Sequence, residues 1–303
     1  MIYYVDDESE YERIDKYLTN LITDKSRTFI QKLLKNGNIL VNGSPCKSNY
    51  IVKADDIINV DIPELIETNI VPENIPLDIL FEDDDILIVN KPKNMVVHPA
   101  AGHYSGTLVN AIMYHCKDNL SGINGVLRPG IVHRIDKDTT GSLIICKNDF
   151  THNSIAEQLK IHSITRKYVA IVHGSFTDES GTIEGNIGRE KNDRKKMSIT
   201  KDGKEAITHY RVLSSNSKYS YVECQLETGR THQIRVHMAS INHPLLGDEI
   251  YCKLPCPYKL QGQTLHAKTI GFIHPRTKKY IEINAPIPDY FKHLLDINGL
   301  NVN

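Results

Sequence analysis

No stretch of this 303-residue chain is apolar for long enough to cross a bilayer. The opening, MIYYVDDESEYER, also lacks the uncharged apolar segment of a secretory signal. Neither anchoring nor export is indicated, and a cytoplasmic location is expected. Net charge is equally scarce: the formal value is -1. A polyanionic partner must therefore be argued from local patches, not from the whole chain. The six cysteines (46, 116, 146, 224, 252 and 256) form no C-x-x-C pair. Several lie in apolar runs such as LIICKN, where a thiol packs as a small hydrophobe. A reduced protein without disulfides is expected. Cys252 and Cys256 are four apart and could share a metal, but Pro255 and Pro257 favour a rigid, solvent-facing loop. Internal repeats and low-complexity tracts are absent too. So is any regular alternation of strands and helices, which argues for an α+β fold with a mixed or antiparallel sheet.

What is present suffices for a folded core: 40% of residues are hydrophobic, and the length allows two domains or one large one. Residues 12–36 carry apolar positions at helical spacing, Ile14, Tyr17, Leu18 and Leu21, then Phe29, Ile30, Leu33 and Leu34. They predict two short helices, the second ending at Asn36-Gly37 in an αL cap. ILVNG reads as a strand entering an Asn-Gly turn and DDIINVDI as another strand. This αα-β module is expected over residues 1–63, followed by a Pro- and Glu-bearing linker over 64–76 and a larger domain over 77–303. In that domain ILIVNKP, SLIICKN, KYVAIVHG, YSYVECQLETG and KYIEINAP read as strands. Helices are expected at 106–115, 150–161 and 231–240.

Two basic clusters stand out. On the second helix, Lys25, Arg27, Lys32 and Lys35 are either a solvated face or a phosphate-binding one. Segment 188–204, GREKNDRKKMSITKDGK, carries seven Lys or Arg, and its Arg194, Lys195 and Lys196 form the densest run. It is a solvated hairpin tip or a patch for a polyanion.

Chemistry concentrates in GIVHRIDKDTTGSLIICKN, residues 130–148. DKDTT fits the DxDxT pattern of Mg²⁺-dependent phosphatases, with Asp136 as nucleophile, Asp138 as acid/base and Asp248 as a metal partner. That short pattern arises often by chance, and His and Arg directly precede the Asp here. A zinc site from His232 and His237 with His133 or His209 was weighed against hydrogen-bonded histidines in a polar cleft; no acidic partner accompanies them, and the second reading is preferred.

A more specific likeness appears when the motifs are taken together. RIDKYLTN…SRTFIQKLLKNGNILVNG…ADDIINVDIP resembles the S4 RNA-binding domain over about residues 12–63. HRIDKDTTG (133–141) resembles the H-R-L-D-x-x-T-[ST]-G signature of the RluA/RluD-type RNA pseudouridine synthases, with Ile135 for Leu. RKY (166–168) and LETGRTHQIRVH (226–237) resemble that family's second and third signatures. LIVNKP, HPLLGDEIY and LHAKTIGFIHP follow in the family's order.

The resemblance implies isomerisation of uridine to pseudouridine in structured RNA, with no metal or other cofactor. Large-subunit (23S) ribosomal RNA is the expected partner and a monomer the expected state. Asp136 would be the catalytic carboxylate, attacking C6, attacking C1′ or acting as a base; Asp138 is its competitor. Arg230 would pair with Asp136 and keep it ionised, Arg235 being the competing assignment. Tyr168 would stack on the target uracil. Arg134 would fill the gap left by the flipped-out uridine, sharing Asp136's face if the segment is a regular strand. His133 would then be structural, and Thr139, Thr140 and Gly141 would shape the turn. The opposing reading is a non-catalytic RNA-binding assembly factor.

Overall fold

A computed structural model describes residues 1–303 apart from 24–25, 63–69, 100–102, 118, 124–127, 194–195 and 301–303. The chain divides into two units, residues 1–68 and 69–303. The first contains β1 (Ile2–Tyr4), α1 (Ile14–Leu21), α2 (Arg27–Lys35), β2 (Ile39–Val41), β3 (Ser44–Pro45) and β4 (Ile57–Val60). Its strands form a sheet of order β1-β4-β2-β3. Ile14, Tyr17 and Leu18 of α1 and Ile30, Leu33 and Leu34 of α2 are buried in one cluster with Ile39, Val41, Ile58 and Val60. Burying one such side chain contributes roughly 1.5–3 kcal/mol, which is how a unit this small keeps a core. Ser26 starts α2 by accepting the Phe29 N–H at 3.3 Å. Gly37, at φ +75°, ends it, its N–H bonding the Leu34 carbonyl. This is the αL cap expected from Asn36-Gly37.

The second unit contains β5 (Ile79–Glu82), β6 (Ile86–Lys91), α3 (Leu108–Cys116), β7 (Thr140–Cys146), α4 (Asp149–Lys160), β8 (Thr165–His173), β9 (Ser180–Glu184), β10 (Ile187–Arg189), β11 (Met197–Ile199), β12 (Ile207–Ser215), β13 (Tyr219–Leu226), α5 (Gln233–Ser240), β14 (Leu265–Ile273), β15 (Tyr280–Asn284) and α6 (Asp289–Ile297). Nine of these strands form a mixed sheet, β5-β6-β7-β14-β8-β13-β12-β9, with β15 on β14. Its pairings are antiparallel except β7 with β14, which is parallel. β10 and β11, both from the basic segment, pair separately as antiparallel strands.

The sheet is covered on both faces. Every residue of β7 is buried. Leu143 and Ile145 belong to the cluster that holds Leu108, Val109 and Ile112 of α3 and Ile234 and Met238 of α5. Ile144 and Cys146 belong to the one that holds Ile155 of α4. β8 divides the same way: Tyr168 and Ala170 join the α3/α5 side, Val169 and Ile171 the cluster of Phe291, Leu294 and Leu295 from α6. A strand covered on both faces reads as a continuous apolar run, which is why SLIIC and YVAIV do not alternate. Tyr168 is thereby turned to the face on which α5 begins.

Two expectations need adjusting. Part of the stretch expected as a linker packs on the second unit: Ile70 is buried in its core, and Asn110 donates to the Val71 carbonyl at 2.8 Å. Residues 64–69 lie outside the described residues. α6 was not among the expected helices, although Phe291, Leu294 and Leu295 have helical spacing.

Candidate active site

Asp136 lies in an irregular segment between Ile131 and β7, not in a regular strand. Three contacts hold that segment. Ile135 is buried in the core beside it. The Thr139 N–H bonds the Asp136 carbonyl at 3.1 Å and closes a turn. Lys91, fully buried at the end of β6, donates to the carbonyls of Pro92, Met95 and Lys137 at 2.7, 2.9 and 2.9 Å. It thus fixes the backbone one residue past Asp136. Burial pushes the Lys91 amine down to about 7, against the pull of the Asp138 and Asp136 charges. At the start of β7, Gly141 has φ +110°, and a Cβ there would lie 2.7 Å from the Ala267 nitrogen. Only glycine lets β14 approach so closely.

The other wall comes from the turn before α5. His232 takes the αL conformation at φ +58° as the helix N-cap. Gln233, buried, accepts from the Arg230 N–H and the Thr228 hydroxyl and donates to the Ile207 carbonyl, locking this turn to β12. One helical turn brings Arg235 to Asp136: Nη1 stands 3.0 Å from Oδ2. The same guanidinium is held bidentately by buried Asp248, Nε to Oδ2 at 2.6 Å and Nη2 to Oδ1 at 2.9 Å. Burial opposes the charge on Arg235, but its bonds to Asp248 and the two carboxylate charges outweigh it and raise its pKa. His232 Nε2 lies 3.9 Å from Asp136 Oδ1, while its Nδ1 is 2.8 Å from the Tyr251 hydroxyl. Burial is the main cause of a lowered His232 pKa. Tyr251 also accepts the Met197 N–H of β11 at 2.8 Å and stacks over the Arg235 guanidinium at 5.1 Å.

Asp136, His232 and Arg235 line a small open cleft. Arg134, Asp136, Tyr168, Arg230, His232 and Arg235 all contribute to it. Tyr168 is 8% exposed, and burial raises its phenol pKa. The fold therefore brings together all four expected site residues, but the ion pair differs from the one expected. Arg235, not Arg230, bonds Asp136; Arg230 instead donates from Nε to the Glu205 carbonyl at 2.8 Å. The reason is helical phase: Arg235 lies inside α5 and is buried, whereas Arg230 precedes it at the cleft edge. Arg134 is exposed, with Nη1 3.5 Å from His98 Nε2. Asp138 does not line the cleft; its side chain packs at Gly262.

The histidines weighed as zinc ligands have separate roles. His133 Nε2 accepts the Ile144 N–H at 2.9 Å, His237 bonds Thr208 at 2.9 Å, and His209 bonds Glu227 at 2.6 Å. They form no candidate ligand group among the described residues. His133 thus has the structural place expected of it. Among the basic residues, Lys32 and Lys35 are exposed at the end of α2. Arg27 is committed to buried Asp15, with bonds of 3.1 Å from Nε and Nη2. Burial opposes ionisation of Asp15, but bonds from Arg13, Gln31 and Arg27 hold its carboxyl at about 2. Lys196 has Nζ 5.9 Å from the Tyr251 ring. Arg194 and Lys195 lie outside the described residues, as does Lys25. His232 lines the cleft, in line with the preferred reading of hydrogen-bonded histidines in a polar cleft, whereas sequence reasoning left Tyr251 and Lys91 without a role. Tyr251 meets His232 and Met197 across 19 and 54 residues and Lys91 meets Lys137 across 46, so no local pattern could reveal them.

The fold is that of a pseudouridylate synthase. The solved human RNA pseudouridylate synthase domain containing 4 superposes with a TM-score of 0.58 at 25% identity, covering 74% of this chain and 94% of that one. Residues 85–240 match the RNA pseudouridylate synthase family and residues 12–58 the S4 domain. The chain belongs to the RNA pseudouridylate synthase family. An uncharacterized RNA pseudouridine synthase of Bacillus subtilis (strain 168) is 52% identical over 293 residues, covering 96% of this chain and 95% of that one. The ribosomal large subunit pseudouridine synthase D of Zymomonas mobilis is 46% identical over 287 residues, covering 91% and 90%. No helix among the described residues is long and apolar enough to cross a membrane.

Proposed function

We propose that this synthase isomerises uridine in large-subunit ribosomal RNA, with Asp136 as its catalytic carboxylate and no cofactor. The observation that carries the residue assignment is the Arg235 guanidinium on Asp136 at 3.0 Å inside a cleft that Tyr168 also lines. That guanidinium holds the Asp136 carboxylate in position at the cleft, as a nucleophile or base requires. The ribosomal substrate is supported by the S4 match and by the ribosomal relatives.

In the reaction the N1–C1′ bond breaks, the base turns, C5 joins C1′, the proton on C5 is lost to solvent, and N1 takes up a proton. Tyr168 offers the uracil a flat apolar face that attracts it without fixing its rotation. Arg134, exposed and lining the cleft, would enter the stack in place of the extruded uridine. The test is tritium release from unmodified large-subunit ribosomal RNA labelled at uridine C5, with wild type and Asp136→Asn side by side. Release by wild type alone is expected. Full release by Asp136→Asn would overturn the residue assignment, and no release by either would overturn the substrate.

A further inference from the structure

We propose that a second groove, continuous with the cleft, binds the backbone phosphate next to the uridine being isomerised. This rests on the RNA reading above. The groove runs past Val132 and His133, the end of α4 at Leu159 and Lys160, His162, and the turn at Gly229. Arg134, Tyr168 and Arg230 line both it and the cleft, so a ligand entering one is adjacent to the other.

Its chemistry is one-sided. Arg134, Arg166 and Arg230 converge on it, and no Asp or Glu is among its lining residues. None of the three guanidiniums makes an ion pair among the described residues; their polar contacts there are His98, the Glu227 carbonyl and the Glu205 carbonyl. Glu227 gives Arg166 only its backbone oxygen at 2.6 Å and turns its carboxylate to His209, also at 2.6 Å. Arg166 is the key residue. It is 8% exposed, and its Nε is buried without a partner. Arg230 is close enough to disfavour its charge further. A buried cation left beside another cation is costly, and an anion arriving between them removes that cost.

The anion that fits is a phosphodiester. Guanidiniums bind phosphate oxygens in pairs, and phosphate contacts set the register of a nucleic acid on a protein. Register is what this enzyme needs, since the uridine must be delivered to Tyr168 and Asp136 from a strand whose backbone stays outside. Arg166 stands two residues before Tyr168 on β8, so both side chains share one face of the strand. A Cβ at Gly229 would come within 2.6 Å of Arg166 Nη1, so the glycine leaves the guanidinium room at the groove wall.

The test is binding of transcribed large-subunit ribosomal RNA over a range of salt concentrations, for wild type, Arg166→Gln and the exposed Lys160→Gln. Losing one phosphate contact should lower the log Kd–log salt slope by about 0.7 to 0.9. Arg166→Gln should show that drop with roughly tenfold weaker binding; Arg166→Lys should recover the slope. A smaller drop is expected for Lys160→Gln, which keeps the fold if Arg166→Gln does not. Wild-type slope and affinity in both Gln variants, with melting curves unchanged, would overturn the site. The tritium assay is a separate readout: a slope lost with Arg166 but no tritium release by wild type would sink the ribosomal-substrate reading and leave the phosphate site standing.

Discussion

Arg235 is shared by two carboxylates: Nη1 bonds Asp136 at 3.0 Å while Nε and Nη2 bond Asp248 at 2.6 and 2.9 Å. Asp248 is fully buried and aims the guanidinium; Asp136 is partly open to the cleft. One end of the group is anchored and the other works on the residue that would react.

Asp248→Asn should therefore damage chemistry more than binding. With its anchor reduced, Arg235 is free to drift, and a misplacement of about 1 Å can cost on the order of 100-fold in rate. The single-turnover rate should fall about 10- to 100-fold with a small change in KM. Arg235→Met should instead destabilise the fold by about 3–5 kcal/mol, because it strands Asp248 in the interior. Wild-type turnover in Asp248→Asn would refute the anchoring role.

Tyr251 connects the basic segment to the cleft. Its oxygen accepts the Met197 N–H, so its own proton is free for His232 Nδ1, which leaves Nε2–H facing Asp136. Tyr251→Phe breaks this chain. The loss of roughly 1 kcal/mol of hydrogen bonding should slow single-turnover tritium release about fivefold. An unchanged rate would mean that His232 is held by its ring contacts alone.

Stability should depend on acid through buried histidines. Burial holds His133 at about 3 and His98 and His266 at about 4. All three stay neutral in the fold, whereas the unfolded chain takes up protons near pH 6.5. Their contribution is complete above about pH 6.5 and is lost as pH falls towards about 4, since the unfolded state binds more protons there. Asp15 and Asp85, held at about 2, add to the loss only at lower pH. Thermal melts from neutral pH to about pH 4.5 should show a steady decline that is shallower in His266→Gln; a flat Tm over that range would contradict the account.

Gly141→Ala should be among the most damaging single changes. The residue has φ +110°, and the added carbon would collide with the Ala267 backbone, which cannot swing aside as a side chain can. A loss of at least about 3 kcal/mol is expected. A purified variant melting like wild type would show that β7 and β14 can separate without cost.

Removal of residues 1–63 should weaken RNA affinity or site choice more than the rate on bound RNA. Lys32 and Lys35 lie exposed on α2, whereas Arg27 is occupied with Asp15. Lys32→Gln/Lys35→Gln should thus reproduce part of the truncation, measured as Kd for the ribosomal RNA, and unchanged affinity in both would exclude this unit from binding.

Much of this protein was legible along the chain because its determinants are local. Helical spacing of Ile14, Leu18, Ile30 and Leu33, the Gly37 cap, and apolar runs such as SLIIC report on residues within a few positions of each other. The motif around Asp136 and the turn containing Arg230 are local in the same sense. What tertiary structure alone decided was the pairing of charges. Whether Arg230 or Arg235 meets Asp136 depends on where α5 starts its first turn, and that is set by Gln233 reaching back to β12 and by Asp248 thirteen residues beyond Arg235. Likewise Arg166 meets only the backbone oxygen of Glu227, whose carboxylate has turned to His209. Charges act through space over a few ångströms regardless of chain separation, so a sequence names the charged groups while the fold chooses their partners.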